Sequence, residues 1–449
     1  MNYDEKLSNV SVLGAAGKMG SGILLLTAVE MADLSYKKEN ANRIFILNAI
    51  DVSDKALIDL LEYVRIQARK IAEKKINFLR ELYSDNQNLV YNNEIIDDYI
   101  LKILSIIRPS TLIESTYNSN IIFEAVNENP VLKIKLINKI EVNSTLTPWY
   151  FTNTSSVPIS YLNEKCNLNG RIIGFHFYNP PAIQKLVELI NGTDTLSDLN
   201  SFALEYAKKL HKTIVHSNDI AGFIGNGHFM RDTLLGIKLV NELKSDFGFP
   251  EAVYIVNKVS QDFMIRPMGI FQLVDYVGID VCKYIMEVMN PYFEEEDIHS
   301  DLLDILFERG VKGGQNSDGS QKDGFMKYNK GKIIEIYDYN KDEYLNYETI
   351  SKKMEPIIGK LPNNYISWKE IIKIKDRHTF LEKYFGTLKY EKTLGANVAK
   401  KFLKETRNIG LKLIEQNVAK TEKDVNTVML TGFFHCYGPI NNYLPWEEI

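Results

Sequence analysis

A glycine-rich turn stands between the first apolar stretch of the chain and the first helix-compatible one. The stretch Val10–Leu13 is short and partly β-branched, which is typical of a buried strand that ends in a turn. Gly14, Gly17 and Gly20 follow it, and Ile23–Met31 continues with residues that favour a helix. Such a turn leaves backbone N–H groups and the positive end of a helix open to a phosphate. The pattern predicts a nucleotide-binding βαβ unit, with a plain turn before a helix as the alternative.

A second predicted strand ends on an acidic residue. Ile44–Leu47 is strand-like, and the run continues to Asp51. A carboxylate there can accept two ribose hydroxyls and repels a 2′-phosphate, which favours NAD over NADP. The fingerprint is approximate, because Gly14 stands one residue earlier than GxGxxG requires and Asp51 follows Gly20 by 31 residues rather than by roughly 20. The longer interval indicates an inserted loop at 34–42.

The N-terminal half of the chain alternates between strand-like and helical segments. The charged segment 53–76 has leucines spaced for one buried helix face. Strand-like runs return at 121–123, 149–152, 172–175 and 213–215. This alternation predicts an α/β Rossmann-type N-terminal domain with a mainly parallel sheet covered on both faces. From about residue 220 helical spacing dominates, so an all-α C-terminal region is expected to follow.

Two segments of the C-terminal region are similar in sequence. Gly236 opens a helical segment 33 residues before Gly269, and Gly410 opens a similar segment 28 residues before Gly438. These separations fit a diverged duplication, with chance similarity between amphipathic helices as the alternative. We therefore expect three domains: an NAD-binding domain at 1–217, a first helical domain at 218–330 and a second, diverged helical domain at 331–449.

Composition excludes several function classes. The chain has 53 Lys and Arg against 58 Asp and Glu, a formal net charge of −5, and its basic residues are dispersed among acidic ones. Nucleic acid is therefore not an expected partner. No apolar segment is long enough for a membrane span, and the first residues do not have the pattern of a signal peptide, so a cytoplasmic location is expected. The three cysteines form no CxxC or Cys/His cluster, which argues against disulfides and a bound metal.

The densest collection of polar residues beside apolar runs lies between 152 and 191. Hydride transfer from a secondary alcohol requires a base for the hydroxyl proton, and histidine titrates nearest neutral pH. Of the seven histidines, His176 closes a predicted strand beside this cluster. Glu188 stands in an apolar run, where an unpaired carboxylate is costly, so a buried partner such as an imidazole is expected. A hydrogen-bonded core histidine and a solvated carboxylate are the alternatives.

Six further motifs follow the glycine-rich turn. They are Glu124–Glu128, Asn153–Ser156, His176–Pro180, Leu186–Glu188, Gly222–Asn226 and Gly324–Tyr328. His176 follows Ser155 by 21 residues, Glu188 follows His176 by 12, and Asn226 follows Glu188 by 38. Over residues 8 to about 330 the chain resembles the L-3-hydroxyacyl-CoA dehydrogenases. Members of this family can carry two copies of the helical domain, which would account for the similarity between the two C-terminal segments.

The resemblance implies NAD-dependent oxidation of an L-3-hydroxyacyl-CoA to the 3-ketoacyl-CoA, or the reverse, as in fatty acid β-oxidation. It makes His176 the catalytic base and Glu188 its orienting carboxylate, and it puts Ser155 and Asn226 near the C3 oxygen of the substrate. It implies a contact between Lys74 and CoA. To the residues already predicted for NAD, which are Gly14, Gly17, Gly20 and Asp51, it adds Glu128, Lys133 and Asn179. For Lys74, Glu128 and Lys133, a solvated charge is the alternative.

Gly227 departs from the family pattern, which has an arginine directly after the asparagine of this motif. The change removes a charge and loosens the start of a helix, so it bears on substrate preference or domain docking more than on the chemistry. Two other functions stay open: a related dehydrogenase that acts on a free hydroxy acid or sugar acid, and a non-catalytic nucleotide-binding relative. A fused second helical domain also predicts a monomer in which the two copies form an intrachain pseudo-dimer.

Overall fold

The computed structural model describes residues 2–84, 86, 88–316 and 319–447. The chain divides into two compact units, Met1–Asp219 and Ile220–Ile449. The apolar core of each unit consists of that unit's own residues. The glycine-rich stretch 313–324 belongs to the second unit, and its residues 317 and 318 lie outside the described ranges.

The first unit is built on an eight-stranded sheet with the order β3-β2-β1-β4-β5-β6-β7-β8. All neighbouring strands are parallel except β6 and β7. Every residue of β6 and β7 is buried, as expected for strands covered on both faces. The strands are β1 (Asn9–Leu13), β2 (Ile46–Ile50), β3 (Ile107–Ser110), β4 (Ile121–Glu124), β5 (Trp149–Thr152), β6 (Ile172–Phe177), β7 (Leu186–Ile190) and β8 (Thr213–Ser217).

Helices connect these strands. The longest begins because the side chain of Ser53 accepts the N–H of Ala56, and it buries Leu57, Leu60 and Val64 at the spacing of one helix face. The helices of this unit are α1 (Tyr3–Lys6), α2 (Gly20–Ser35), α3 (Asp54–Lys74), α4 (Ile76–Leu82), α5 (Asn92–Ile106), α6 (Pro130–Asn143), α7 (Ile159–Lys165) and α8 (Ser197–Lys209). The Rossmann-type fold predicted from the alternating pattern is confirmed.

Two strands of this sheet were not anticipated. β3 is an edge strand in which only Ile107 is buried and Pro109 cannot donate a ladder hydrogen bond, so it has no strand-like pattern. β7 was described only as an apolar run, because periodicity does not separate a short buried strand from a buried helix segment. The inserted loop expected at 34–42 is present, since α2 ends at Ser35 and β2 begins at Ile46.

The second unit is mainly helical, which confirms the predicted helical region, but it is not all-α as expected. It also contains a three-stranded antiparallel sheet, β9 (Met326–Asn329), β10 (Lys332–Asp338) and β11 (Glu343–Asn346), in a segment whose many lysines and tyrosines gave no clear period. Position 330, where the first helical domain was expected to end, lies in the turn between β9 and β10. The helices are α9 (Phe223–Phe247), α10 (Phe249–Lys258), α11 (Ile270–Val277), α12 (Ile279–Met289), α13 (Asp301–Glu308), α14 (Tyr347–Ile358), α15 (Trp368–Ile371), α16 (Arg377–Leu388), α17 (Leu394–Glu415) and α18 (Glu422–Gly432).

Polar side chains join α9 to α17 inside this unit. Asp232 on α9 accepts hydrogen bonds from Arg266 at 3.0 Å and from the hydroxyl of Thr406 on α17, and all three residues are buried. Arg266 also donates to Thr406 at 3.3 Å, so each side chain of the cluster has a partner. Within the described ranges, none of the helices is both long and apolar enough to cross a membrane.

Candidate active site

Several residues predicted for the cofactor, and Ser155, which is predicted to lie near the substrate, follow strands of the first unit. In a parallel sheet the segments after the strands meet at the carboxyl edge, and α/β proteins bind ligands where the strand order reverses. In this sheet the order reverses between β1 and β4, which pair with each other. The segments after β1, β2, β4, β5 and β6 carry Gly14, Asp51, Glu128, Ser155 and Asn179 in that order. The topology therefore gathers the five residues at one edge.

The turn after β1 approaches neighbouring backbone closely at two glycines. Gly14 has a φ of +72°, and a Cβ there would lie 2.6 Å from the carbonyl oxygen of Ala125. A Cβ on Gly20, the first residue of α2, would lie 2.0 Å from the carbonyl oxygen of Gly14. Gly17 and Lys18 are exposed between them. The turn offers bare backbone at the start of a long helix, which fits the diphosphate of a dinucleotide despite its extra residue.

Asp51 lies beside this turn. Its Oδ2 accepts the N–H of Ala16 at 2.9 Å, and its Oδ1 accepts the N–H of Val52 at 2.8 Å. The residue is half-buried, and each carboxylate oxygen has a second lone pair available for a hydroxyl group. The carboxylate is thus fixed next to the turn, where it suits the ribose of a dinucleotide.

His176 and Glu188 face each other on two antiparallel strands. They are partners in the register of β6 and β7, and His176 Nδ1 lies 3.6 Å from Glu188 Oε2. Glu188 is fully buried and His176 is 8% exposed. A buried carboxylate beside Nδ1 stabilises the imidazolium that forms when Nε2 takes a proton. The structure therefore brings the imidazole of His176 close to the carboxylate of Glu188.

Glu188 has a second partner, Tyr178, which the sequence analysis missed. The phenol of Tyr178 donates to Glu188 Oε1 at 2.9 Å, and its ring centroid lies 4.9 Å from that of His176. Burial and, after it, the negative charge of Glu188 raise the pKa of Tyr178 well above its usual value of 10.0. The sequence did contain a signal for this contact. Tyr178 stands two residues after His176, and residues two apart along an extended chain face the same side.

Glu128 binds the loop that carries Ser155. Its Oε1 accepts the N–H groups of Ser155 and Ser156 at 2.8 and 2.9 Å, and the hydroxyls of Thr154 and Ser156 at 2.6 and 2.8 Å. Burial by itself would raise the pKa of Glu128, but Lys133 and these donors together lower it to about 2. The charged carboxylate therefore fixes the backbone on which Ser155 stands.

Lys133 lies in the interior of the unit, so the alternative of a solvated charge is wrong for this residue. Its ammonium donates to the two oxygens of Glu124 at 2.8 and 2.9 Å and lies 3.2 Å from Glu128 Oε2. Lys133 and Glu124 are fully buried. Burial would lower the pKa of Lys133, but the two carboxylates raise it. Glu124 was quoted only as part of a motif, although a charged residue that closes a buried strand demands a partner.

The loop between β6 and β7 carries Asn179, which is half-buried. Lys212 donates to two carbonyl oxygens of this loop, that of Pro181 at 2.5 Å and that of Gln184 at 2.6 Å, and its ammonium lies 5.6 Å from the centroid of the Phe177 ring. Burial lowers the pKa of Lys212 to about 8. Lys212 is a further residue that sequence reasoning missed, since its partners are backbone atoms that no side-chain motif records.

The remaining predicted residues lie on helices. Lys74 is exposed in the last turn of α3. Asn226 is half-buried in the first turn of α9, within the second unit. Its neighbour Gly227 is buried, and a Cβ there would lie 3.0 Å from Leu413 Cδ2 on α17. Arg231, one turn further along α9, donates to the carbonyl oxygen of Gly227 at 2.8 Å. The close approach of Leu413 gives a packing reason for glycine at position 227.

Known proteins match both units. Residues 9–220 match the family described as 3-hydroxyacyl-CoA dehydrogenase, NAD binding domain, and residues 222–323 match the 3-hydroxyacyl-CoA dehydrogenase C-terminal domain. A probable 3-hydroxyacyl-CoA dehydrogenase of Caenorhabditis elegans is 28% identical over 320 residues, which cover 71% of this chain and 93% of that protein. A probable 3-hydroxybutyryl-CoA dehydrogenase of Bacillus subtilis is 30% identical over 285 residues, which cover 64% of this chain and 86% of that protein.

A solved structure shows the same fold. The crystal structure of 3-hydroxybutyryl-CoA dehydrogenase from Escherichia coli K12 has a TM-score of 0.62 and 19% sequence identity, and the match covers 97% of this chain and 90% of that one. The matched domain is one that binds NAD, and the glycine-rich turn of the first unit suits the diphosphate of such a dinucleotide. The chain therefore belongs to the 3-hydroxyacyl-CoA dehydrogenase family and is an NAD-dependent oxidoreductase.

Proposed function

We propose that this protein oxidises the 3-hydroxyl of an L-3-hydroxyacyl-CoA to a ketone, or catalyses the reverse reduction, with His176 as the base and Glu188 as its partner. The observation that carries the proposal is the buried carboxylate of Glu188, 3.6 Å from His176 Nδ1. The names of the relatives support the substrate class, since they are described as 3-hydroxyacyl-CoA and 3-hydroxybutyryl-CoA dehydrogenases.

His176 handles the hydroxyl proton in this mechanism. With Nδ1 turned towards Glu188, the other ring nitrogen, Nε2, takes the proton in oxidation and returns it in reduction. The residues at the carboxyl edge of the sheet would hold NAD, which would supply the hydride acceptor for C3. Ser155 and Asn226 would bind the C3 oxygen, by analogy with the family. The hydrogen bonds from Ser155 and its neighbours to Glu128 support this role, because they fix the loop that carries Ser155.

The residues proposed for NAD are those at the carboxyl edge of the sheet. Gly14, Gly17 and Gly20 would receive the diphosphate, and Asp51 the ribose. Asn179 follows β6 on the loop held by Lys212. Glu128 and Lys133 complete the proposed set, and the burial of Lys133 favours an indirect action through Glu128 rather than a contact of its own.

The thioester substrate would bind partly through CoA phosphates. Lys74 is the residue proposed for that contact, and its exposure in the last turn of α3 supports the proposal. The alternative substrates are a free hydroxy acid and a sugar acid, which share the chemistry but have no CoA to bind.

The three cysteines are free thiols, in keeping with the proposed cytoplasmic location.

We further propose that the helical region contains two related domains, 218–330 and 331–449, beside the NAD-binding domain at 1–217. The similarity of the segments that open at Gly236 and Gly410 supports a duplication. Both segments lie in long helices, α9 and α17, of the second unit.

NADH consumption measured with a short 3-ketoacyl-CoA, beside the matching free 3-keto acid, tests the proposed function. We expect turnover with the thioester and a kcat/KM at least tenfold lower, on the order of 1.4 kcal/mol or more, with the free acid. His176→Gln should reduce kcat by about 10³-fold and leave the Kd for NADH within about twofold, because general-base catalysis contributes about that factor. Equal rates with thioester and free acid would support the free-acid alternative. NADH binding without turnover of either compound would support a non-catalytic relative.

A further inference from the structure

Glu188 is shared by two side chains of one extended segment. His176 approaches Oε2 and Tyr178 donates to Oε1 at 2.9 Å. A hydrogen bond to one oxygen fixes the rotation of a carboxylate, because the second oxygen must then point in a defined direction. Tyr178 thus determines where the oxygen that faces His176 Nδ1 lies.

The phenol also affects the charge of Glu188. A donor to a carboxylate in a buried site withdraws part of the negative charge that would otherwise act on the imidazole. Burial and the charge of Glu188 keep the phenol protonated, so Tyr178 remains a donor throughout the range of an enzyme assay. It therefore cannot exchange protons with substrate under those conditions.

We propose that Tyr178 is a positioning residue of the catalytic pair, which aims the Glu188 carboxylate at His176 and limits the charge that stabilises the imidazolium. The inference rests on the proposed function, in which His176 is the base. Removal of the phenol hydroxyl would leave Glu188 with a more concentrated charge. The imidazolium would then be more stable, so the neutral base would form only at higher pH.

Neighbouring segments of the same unit carry further titratable groups, Lys212 and His216. Lys212 holds the loop after β6, and its lowered pKa of about 8 puts its titration on the alkaline side of neutral. On the next strand, β8, Val215 is the register partner of Glu188, and His216 pairs with Leu189 and so faces the other side of the sheet. On β5, Thr152 is the residue in register with Gly174 and carries no charge. The acid limb of the pH profile is therefore the informative one.

The variant Tyr178→Phe tests the proposal by its pH profile. In the oxidation direction we expect the acid limb of kcat/KM to move upward by about half to one pH unit, and kcat at pH 7 to fall about threefold to tenfold. KM for both substrates should stay within about twofold. The control is Tyr206→Phe, which removes another buried hydroxyl of the same unit, bonded to Thr27 at 2.7 Å. Its profile should match that of the unmodified protein.

A titration of the His176 ring by NMR gives the same answer without turnover. The signal is assigned by its absence in His176→Gln, and its midpoint should move upward in Tyr178→Phe by the same fraction of a unit. In a Glu188→Gln background the additional change Tyr178→Phe should have no effect on the midpoint, because the residue acts through the carboxylate. An unchanged midpoint in the single variant, or an equal shift in both backgrounds, would overturn the proposal.

The two proposals fail in different ways. An inactive unmodified protein, or a His176→Gln variant that stays active, would overturn the proposed function. The inference about Tyr178 alone would be overturned if turnover depends on His176 but Tyr178→Phe has the pH profile and the His176 titration of the unmodified protein.

Discussion

The ammonium of Lys133 lies 2.8 Å from Glu124 Oε1 inside the first unit, and neither side chain is more than 1% exposed. A substitution of Lys133 therefore has two possible consequences, which experiments can distinguish. A residue that only binds NAD would change the Kd for the cofactor, whereas a buried countercharge would change the stability of the unit.

We predict that Lys133→Met lowers the stability of the NAD-binding unit by about 3–5 kcal/mol, because the buried carboxylate of Glu124 and the partly exposed one of Glu128 lose their countercharge. In a unit of this size that corresponds to a fall in Tm of about 10 °C. The matched control is Lys139→Met on the same helix, whose ion pair with Glu114 is about half exposed and should contribute less than about 1 kcal/mol. Thermal unfolding of both variants measures the difference. A weaker Kd for NADH at unchanged Tm would instead indicate a direct cofactor contact.

Asp51 should enforce the preference for NAD over NADP. Its carboxylate is fixed beside the glycine-rich turn by the N–H groups of Ala16 and Val52, so a 2′-phosphate placed there would meet a negative charge. We expect Asp51→Ser to narrow the ratio of kcat/KM for NADH and NADPH by about tenfold or more, on the order of 1.4 kcal/mol. Asp54→Ser, a change of an exposed acidic residue three positions later, should leave the ratio unaltered. A preference of the unmodified protein for NADPH would show that Asp51 does not form the ribose site.

Lys74 should contribute to binding of CoA rather than to chemistry. A flexible ammonium on the surface meets a phosphate as a point charge, distant from the reacting carbon. We expect Lys74→Ala to raise the KM for acyl-CoA about fivefold and to leave kcat within about twofold. Lys70→Ala, a change of another exposed lysine one turn earlier on α3, serves as the control. If both variants keep the original KM, the CoA site lies elsewhere or the substrate is a free acid.

Local patterns predicted the fold of the first unit and part of its site. The glycine-rich turn and the helix face of α3 depend on residues close in sequence, so their patterns are readable without the structure. His176 and Glu188 are 12 residues apart and meet because β6 and β7 are antiparallel. An imidazole partner was expected from the cost of a buried carboxylate, but the strand direction was not.

The contacts that could not be predicted depend on register and on burial of charge. Tyr178 reaches Glu188 only because the extended segment after His176 continues past the end of β6. The position of Lys133 inside the unit requires Glu124 and Glu128 to converge on one face of α6. A sequence pattern gives the period of an element but not which of its charged residues faces a buried partner.

Acidic pH should lower the stability of the second unit, because it protonates Glu296. Arg231 donates to both oxygens of Glu296 at 2.8 and 2.9 Å, and Gln416 donates at 2.6 Å. Burial alone would raise the pKa of Glu296, but Arg231, Gln416 and Lys412 together lower it to about 2. Since this value lies below the ordinary 4.5 of the unfolded chain, the stabilisation is complete above pH 4.5 and is lost as the pH falls towards 2.

We therefore expect the free energy of unfolding to fall between pH 4.5 and pH 2, and Glu296→Gln to remove about 2 kcal/mol at pH 7 and to flatten that part of the pH dependence. Urea unfolding at several pH values measures both effects. Glu295→Gln changes an exposed neighbour and should behave like the unmodified protein. If the free energy of unfolding of Glu296→Gln fell with pH as steeply as that of the unmodified protein, the pH dependence could not be assigned to Glu296.

The protein should be a monomer in solution. A two-fold interface uses the same patch on both partners, so a second helical domain of the same chain can occupy the patch through which a single one would dimerise. Here α17 of the same chain covers α9, since Leu413 packs against Gly227 and Gln416 accepts a hydrogen bond from Arg231 at 3.1 Å. Light scattering should give the mass of one chain, 51.6 kDa. Truncation before residue 350 should expose the apolar face of α9 and cause aggregation or dimerisation. A mass of two chains for the full-length protein, or a truncated protein that stays soluble and monomeric, would contradict this prediction.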